Sequence, residues 1–276
     1  FCKFLYGERF NIINTEEHAK GYLSYKFNTA AYQSKTTLIY TDVSVKDNPQ
    51  SPSYPALSFL SRKIQPGVGG SPFNVPVTWY GRPLGSAYPS PNSPKDISQY
   101  HLSHVMNLYI DEISDLEVSF SNSKHANKHK RPDTIDSRFE DALNGNGGLD
   151  GNLTWNIFDI SNRNPELIKY ISGFEKSKRV GELSVLDAVL HTNIWNMDSA
   201  FGLQFSKDKI SIKYDASSTA SFDDNGFLKE SADLLFLGGG KSISASRDKK
   251  AVFSEFNKKF NNNLDIRFAS RYEKIG

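Results

Sequence analysis

The sequence predicts an all-β fold, an antiparallel up-and-down segment of a transmembrane β-barrel with about eight strands and long extracellular loops. Two observations lead to it. Apolar and polar residues alternate in several stretches, as in strands that have one apolar face. The links between these stretches are alternately short and long, as in membrane barrels. No apolar run approaches the roughly 20 residues of a membrane helix, which a barrel does not require.

The composition favours strands and turns and argues against nucleic-acid binding. The 276 residues include 33 Lys and Arg against 31 Asp and Glu, so the net charge is only +2. A domain that binds nucleic acid usually carries a stronger basic field. Aromatic residues make up 13% of the chain, and Met occurs only 2 times. The single cysteine, Cys2, is a free thiol or pairs with a cysteine outside this chain.

Two strands open the chain, and a long proline-rich loop follows them. Residues 18–28 alternate, and 36–45 (TTLIYTDVSV) have high β propensity. The link between them, 29–35, is short. Residues 46–96 show no periodicity and contain most of the prolines. Their aromatic side chains favour an ordered, functional loop.

The middle of the chain contains one hairpin and a second long excursion. Residues 97–110 alternate, a turn at 112–115 follows, and the next strand begins at Leu116 and ends near Phe120. The excursion is predicted to run from 121 to 178. Two short helices lie in it.

The two predicted helices are 135–143 and 165–171. Asn164 is the expected N-cap of the second helix, and Gly173 is its expected stop.

The last part repeats the pattern of short turns and long loops. Strands are predicted at 182–195 and 201–214, with a turn at 196–199, and a third long loop covers 215–246. The closing hairpin pairs 251–260 with 264–273 through Asn261, Asn262 and Asn263. In the last strand Leu264, Ile266 and Phe268 share one face. Asp265, Arg267, Arg271 and Glu273 share the other.

With up-and-down topology, every short turn falls at one end of the strands and every long loop at the other. Transmembrane barrels sort their connections in this way. Soluble sandwiches have no reason to do so. A soluble all-β carbohydrate-binding module and a passive porin remain the alternatives.

Local motifs give no support to an enzyme, a metal site or a cofactor. LGGGKS at 237–242 lacks the first glycine of a phosphate-binding loop, and FDDNGF at 222–227 lacks the ligand spacing of a calcium loop. KHANKHKR at 124–131 spaces His125 and His129 four apart, but its surroundings are strongly basic. We interpret it as a solvated loop tip or a patch that meets lipopolysaccharide phosphates.

Several segments, in order, resemble the β-barrel of TonB-dependent outer-membrane receptors. They include SPSYPALS at 51–58, VPVTWYGRPLG at 75–85, RPDTIDSRFEDALNGNGG at 131–148, ELSVLDAVLHTNIW at 182–195, and the region 215–276, which contains the run from LLFLGGGKS to RYEKIG. The resemblance spans almost the whole chain. Residues 1–276 would then form part of a 22-stranded barrel domain, without its plug domain and C-terminal strands. The start at Phe1, without methionine or signal peptide, also suggests a piece of a longer protein; a processed mature chain is the alternative.

The resemblance implies active transport across a bacterial outer membrane. The implied partners are a ligand such as a siderophore, cobalamin or glycan, TonB through the missing plug region, and outer-membrane lipid and lipopolysaccharide. Four residues of the proline-rich loop are the predicted ligand contacts: Trp79, Tyr80, Arg82 and Tyr88. Stacking aromatic rings and an arginine suit all three ligand types. We expect no enzymatic activity.

Overall fold

The computed structural model describes residues 14–47, 62–81, 83–84, 92–159, 164–261 and 264–276. Strand accounts for 64% of the structure, and the strands are antiparallel. In chain order the elements are β1 (Glu16–Asn28), β2 (Tyr32–Val45), β3 (Arg62–Ile64), β4 (Val77–Trp79), β5 (Lys95–Tyr109), β6 (Asp115–Thr134), α1 (Asp136–Leu143), α2 (Pro165–Ile171), β7 (Ser172–Ile194), β8 (Met197–Tyr214), β9 (Ser221–Phe222), β10 (Leu228–Glu230), β11 (Ile243–Asn261) and β12 (Leu264–Ile275).

Eight of these strands form one large sheet in the order β1-β2-β5-β6-β7-β8-β11-β12. Each strand pairs with the next large strand along the chain, so the sheet is the predicted up-and-down meander. Within the described residues it is open, with β1 and β12 at its two edges. Two small hairpins, β3 with β4 and β9 with β10, lie outside it.

The connections are sorted by length, as predicted. The described links 29–31, 110–114 and 195–196 lie at one end of the sheet, where β11 also ends at Asn261 and β12 begins at Leu264. At the other end lie three long excursions, 46–94, 135–171 and 215–242, of which the second is mainly helix and turn. The tightest described link is Trp195-Asn196, with φ of 53° and 57°. Two successive residues at positive φ are typical of a type I′ hairpin turn.

Register divides the sheet into two faces, of which one is mainly apolar across its middle and the other mixes polar and apolar side chains. Residues directly paired across the strands share a face. One complete row reads Phe27, Ser34, Met106, Val118, Ala188, Leu203, Val252 and Tyr272. The next row, on the other face, reads Asn28, Gln33, Asn107, Glu117, Val189, Gly202, Phe253 and Arg271.

We call the first face the band face and the second the reverse face. Apolar side chains of the band face form a band that crosses all eight strands, with a few polar side chains such as Ser34, Thr36 and His104 within it. Its members are Leu23, Tyr25, Phe27, Tyr32, Leu38, Tyr40, Tyr100, Leu102, Met106, Leu108, Leu116, Val118, Phe120, Leu186, Ala188, Leu190, Phe201, Leu203, Phe205, Val252, Phe256, Ile266, Phe268 and Tyr272.

The buried hydrophobic side chains lie mostly outside the sheet. One cluster joins Ile64, Phe139, Ala142, Leu143, Trp155, Ile157, Leu167 and Ile171, which belong to the excursions. The apolar band, by contrast, stays largely uncovered: Tyr25, Leu203 and Tyr272 are all exposed. The sheet therefore lacks a core of its own in the described structure.

Both helices form where the sequence predicts them. Asn164 caps α2 by accepting the N–H of Glu166 at 2.9 Å, and Pro165 occupies the first helical position, where no N–H is needed. The helix ends with Ser172 as its C-cap, so Gly173, the predicted stop, lies already in β7. Neither helix in the described ranges has the length and apolar character required to cross a membrane.

The predicted limits of the second excursion, 121–178, are wrong. β6 continues fourteen residues beyond Phe120 to Thr134, and β7 begins at Ser172. The extension has polar side chains on both faces, so it lacks the alternation that signals a strand. It is held instead by unbroken pairing of Asp115–Thr134 with Ser172–His191.

Candidate functional site

The three long excursions meet at one end of the sheet in a packed unit. We call residues 62–81, 83–84, 92–94, 135–159, 164–171 and 215–242 of these excursions the cap. Ile64 of the first excursion packs with Phe139 and Trp155 of the second, and Leu235 of the third contacts the same cluster. The indole N–H of Trp155 donates to the carbonyl of Pro83 at 3.1 Å. Three segments far apart in sequence thus share one hydrophobic core.

An arginine links the first excursion to α1. Arg62 pairs with both Asp136 and Glu140, which lie one helical turn apart. Its guanidinium also stacks 5.2 Å from the centre of the Phe139 ring. The side chain of Arg62 is mostly buried. Charge pairing and stacking together fix the β3–β4 hairpin against the helix.

The third excursion docks on the end of β6 through its backbone. The carboxylate of Asp133 accepts the N–H of Leu237 at 2.6 Å and the N–H of Phe236 at 3.1 Å. The N–H of Leu235 donates to the carbonyl of Thr134 at 2.9 Å. Asp133 is buried, and burial raises its pKa to about 6 despite these donors.

An aspartate of the third excursion, Asp233, caps α1. The residue before the helix is Ile135, whose side chain cannot accept a hydrogen bond. Asp233 instead accepts both the N–H of Ser137 at 2.7 Å and its hydroxyl at 2.6 Å. A carboxylate at a helix N-terminus is favourable because it satisfies a free N–H and complements the helix dipole.

An ion pair between a buried glutamate and a partly exposed arginine lies beneath this junction. Glu175 of β7 is 1% exposed and accepts the Nε–H of Arg131 at 2.9 Å. Its second oxygen, Oε2, has no hydrogen-bond partner within the described part of the chain. Removing Arg131 would leave this carboxylate buried and uncompensated, which is costly.

The predicted ligand-contact residues fall in different environments. Trp79 ends β4 and packs against the cap core, with its ring 6.2 Å from that of Phe139. Tyr80 is the next residue and is 61% exposed. Arg82 and Tyr88 lie outside the described residues. Of the two that can be placed, Tyr80 has an exposed ring, whereas Trp79 uses much of its surface for packing.

Two motifs weighed in the sequence have structural roles here. Gly239 of LGGGKS has a φ of 71°, and a Cβ there would lie 2.4 Å from the carbonyl oxygen of Ser218. In FDDNGF, Asp223 accepts the N–H groups of Asn225 and Phe227 at 3.0 and 2.8 Å. The first motif packs the loop closely, and the second closes the turn between β9 and β10. No group of three or more His, Cys, Asp or Glu side chains suited to a metal occurs in the described ranges.

The basic segment KHANKHKR is not a loop tip but part of β6. Alternation places Lys124, Lys128 and Lys130 on the band face, and His125, His129 and Arg131 on the reverse face. The predicted loop at this position is therefore wrong. The strand instead places the lysines on one face of the sheet and the histidines on the other.

Lysines from three neighbouring strands meet at this level of the band face. Lys128 is in register with Lys178, which is in register with Lys213. In the next row on this face, Lys130 is in register with Lys176. A cleft of about 420 Å³ lies between these side chains and is also lined by Pro94 and Tyr214.

His129 lies at the same level on the reverse face. Its Nε2 is 2.8 Å from the hydroxyl of Ser93, a residue that is itself buried. Burial, followed by the nearby charges of Lys95, Arg131 and Arg179, lowers the pKa of His129 to about 4. The ring is therefore neutral at pH 7.

The reverse face carries a hydrogen-bonded ladder where it opposes the apolar band. Gln204 donates to Asp187 at 2.7 Å, and Arg271 donates to both Gln204 at 2.7 Å and Glu273 at 2.8 Å. Phe253 lies over Gly202, where a Cβ would come within 1.9 Å of the ring. The polar ladder and the shielded ring suit a surface that faces water.

The sequence did not predict the acidic residues that hold the excursions to the sheet and to each other. Asp133, Glu175 and Asp233 are acids in segments without a recognisable motif, and each works through a partner 44 or more residues away. A weak signal existed for Asp233, because a helix that begins after Ile135 needs a cap from elsewhere.

The chain matches neither a protein-family model nor a curated protein.

Proposed function

We propose that the chain forms barrel wall and extracellular loops of an outer-membrane receptor of the TonB-dependent type. Such a receptor binds a scarce large solute (a siderophore, a cobalamin or an oligosaccharide) and imports it with energy delivered through TonB. The observation that carries the proposal is the apolar band. It crosses all eight strands on a sheet face that the described chain leaves uncovered.

On β5 the band approaches the height expected for a lipid-facing wall. On β5 it extends from Tyr100, at its loop-side edge, to Leu108. Eight residues at about 3.3 Å each give roughly 26 Å along the strand. Strands inclined by about 40° would then cover roughly 20 Å, close to the ~25 Å apolar belt of outer-membrane barrels.

The slope of the band supports inclined strands. The row of in-register residues that begins at Tyr25 on β1 ends at Lys274 on β12. The band on β12, however, centres on Phe268, six residues from Lys274. The centre of the apolar layer thus shifts along the strands, relative to the rows of paired residues, from one edge of the sheet to the other. Strands that are tilted in a barrel require such a shift.

Aromatic side chains mark both edges of the band near β2. Tyr40 and Tyr100 pair in register at the loop side, and Phe27 and Tyr32 stack at 5.7 Å between ring centres at the turn side. Tyrosine favours the boundary between apolar and polar layers because its ring is amphipathic. The reverse face, with its polar ladder, would then line the lumen.

The cap supports the receptor part of the proposal. Its three excursions share a core, so they form an ordered surface above the sheet rather than independent loops. Exposed rings on this surface, Tyr80 and Phe73, are available to stack on a ligand. Binding residues often lie on loops that a rigid scaffold holds in place.

A soluble carbohydrate-binding module is the alternative from another class. It predicts that Leu264, Ile266 and Phe268 pack in a core. In the structure they are 47%, 50% and 61% exposed. This exposure favours the barrel wall.

The proposal is tested on the intact protein, expressed from its complete coding sequence. Outer and inner membranes are separated by density, and uptake of candidate solutes is measured with and without TonB. We expect the protein in the outer membrane and uptake that stops without TonB. Recovery as a detergent-free soluble monomer would overturn the proposal in favour of the module. Outer-membrane location with TonB-independent uptake would make it a passive porin.

A further inference from the structure

A polar hollow lies on the reverse face of the sheet, at the end where the short links 110–114 and 195–196 join the strands. Two neighbouring rows of in-register residues border it. One row contains His191, Ala200 and Glu255, and the other contains Asn193, Asp198 and Asn257. Ala200 has the smallest side chain of these residues, so it leaves open a space of about 480 Å³ between the longer ones. This volume is within the range of small-ligand sites.

Asp115 determines which ring nitrogen of His191 can accept a hydrogen bond. Nδ1 of His191 lies 3.1 Å from Oδ2 of Asp115. An ionised carboxylate only accepts, so Nδ1 carries the hydrogen. In the neutral ring, Nε2 then holds a lone pair. Because His191 lines the hollow, this nitrogen adds an acceptor to it.

The second row contributes oxygen acceptors. The side-chain amide of Asn193 donates to Oδ1 of Asp198 at 3.2 Å, so the carbonyl oxygen of Asn193 remains an acceptor. Within the described ranges, this oxygen and Oδ2 of Asp198 have no hydrogen-bond partner. The side chain of Asn257, which is in register with Asp198, makes no hydrogen bond to these residues either. The row therefore presents polar groups that a ligand can engage.

The hollow carries a net negative charge. Arg267 of β12 also lines it and pairs with Oε1 of Glu255. Asp198, by contrast, has no ion-pair partner in the described part of the chain. Two carboxylates, Asp198 and Glu255, against one guanidinium leave a net charge of −1. The uncompensated charge lies on Asp198.

The acceptors and the charge together define the chemistry of a matching ligand. A primary ammonium group has three donors and no acceptor, and it carries the complementary charge. Asp198 and Glu255 occupy diagonal positions on β8 and β11, about 7–8 Å apart. A second ammonium group, a few bonds further along an aliphatic chain, would reach the other carboxylate. A diamine therefore fits the hollow better than a single ammonium group does.

We propose that this hollow binds an aliphatic diamine. One ammonium group contacts Asp198, Asn193 and His191, and the other contacts Glu255. The inference goes beyond the proposed function, because the site contains no residue of the cap and lies at the opposite end of the sheet. If the band face meets lipid, the hollow lies on the inner side of the wall.

The test measures binding of putrescine (butane-1,4-diamine) to the purified intact protein by calorimetry, at low ionic strength because salt screens exposed charges. Asp198→Asn removes the uncompensated charge and keeps the shape of the side chain. Asp187→Asn is the matched control, because Asp187 also accepts a side-chain amide on the reverse face, from Gln204, but lies outside the hollow. We expect about tenfold weaker binding in Asp198→Asn and wild-type binding in Asp187→Asn. Equal affinities of the two variants would overturn the inference.

A second variant changes the shape of the hollow without changing its charge. Ala200→Leu places a larger side chain between the two rows. We expect it to weaken putrescine binding at least about tenfold, because the ligand and the new side chain compete for the same space. Unchanged affinity would place the diamine elsewhere on the protein and overturn the assignment.

A comparison of ligands on the wild-type protein guards against a variant that fails to fold. Butane-1,4-diol has the same carbon chain with hydroxyls in place of the ammonium groups. It should bind at least about tenfold more weakly than putrescine, and equal affinity would overturn the inference. Mg²⁺ is the probe for a general cation site. If Mg²⁺ displaces putrescine at equal concentration, the diamine assignment is wrong.

These outcomes are separate from the test of the proposed function. An outer-membrane receptor that does not bind putrescine loses this inference and keeps the receptor proposal. A protein found outside the outer membrane loses the receptor proposal, whatever its hollow binds.

Discussion

The sheet and the cap bury their apolar side chains in different ways, although they belong to one chain. The cap packs Phe139, Leu143 and Trp155 against each other and leaves them almost inaccessible. The sheet places more apolar residues on one face, and nothing in the described structure covers them. The cap therefore contains its own core, whereas the sheet depends on its surroundings. This contrast separates a part of the chain that buries its apolar side chains within itself from a part for which we propose that lipid covers them.

The largest expected effect comes from a substitution that destabilises the cap and leaves the sheet unchanged. Phe139→Ala removes a fully buried ring at the centre of the shared core. We expect a loss of about 3–5 kcal/mol in the free energy of opening the cap. Hydrogen exchange followed by mass spectrometry should show faster exchange in α1 and α2 and unchanged exchange in β7 and β8.

Leu149→Ala is the matched control for this variant. Leu149 lies in the same excursion but is 90% exposed, so its truncation should leave exchange unchanged. If Phe139→Ala instead accelerated exchange throughout the sheet, the two regions would form one cooperative unit and the contrast would fail.

A charge on the apolar band tests the dependence of the sheet on lipid. Leu203→Arg places a cation in the band, between Ala188 and Val252. We expect a loss of about 2–4 kcal/mol in folding free energy in lipid vesicles if Leu203 faces the bilayer core. Urea titration of vesicle-reconstituted protein, read by intrinsic fluorescence, measures it.

The neighbouring position provides the control, because consecutive strand residues face opposite sides. Gln204→Arg enters the polar ladder of the reverse face, beside Asp187. We expect a clearly smaller loss than for Leu203→Arg. Equal losses at the two positions would contradict the assignment of one face to lipid and the other to water.

The smallest expected effect concerns the boundary between the two regions. His129 lies beyond the apolar band, and its pKa is lowered from 6.5 to about 4. A base with a lowered pKa stabilises the fold above its unfolded pKa, and this stabilisation is lost as the pH falls from 6.5 towards 4. The decrease in the urea midpoint between pH 7.5 and pH 4.5 should therefore be smaller in His129→Gln than in the wild type.

His125→Gln, at an exposed position on the same face, serves as the control and should keep the wild-type decrease. Asp133 acts in the opposite direction, because its raised pKa favours the protonated form as the pH falls, but all three proteins share it. An undiminished decrease in His129→Gln would show that this ring does not contribute to acid sensitivity.

The two regions also differ in how far sequence predicts them. Alternation identified the strands of the band because a half-apolar strand has a period of two residues. Asn164 and Pro165 identified the start of α2 by their capping chemistry. These signals are local, so they can be read without knowing the partners.

The cap could not be predicted in the same way. Its core joins Ile64, Phe139 and Trp155 from distant segments, and no periodicity marks such a cluster. The upper part of β6, with Lys128 and His129, was missed because it is polar on both faces and forms only through its neighbours. Trp79 and Tyr80 were predicted together as ligand contacts, but their burial differs, which only the packing of β4 determines.

The cap on α1 also has a consequence for the order of folding. Asp233 lies 96 residues after Ser137, so this helix start cannot be completed until β7, β8 and the third excursion have been made. Such long-range contacts form late, because the intervening chain must first be ordered. During synthesis and assembly, α1 would remain frayed at its first turn until the strands that follow it are in place. A fully hydrogen-bonded first turn of α1 would thus indicate that the sheet beneath it has already formed.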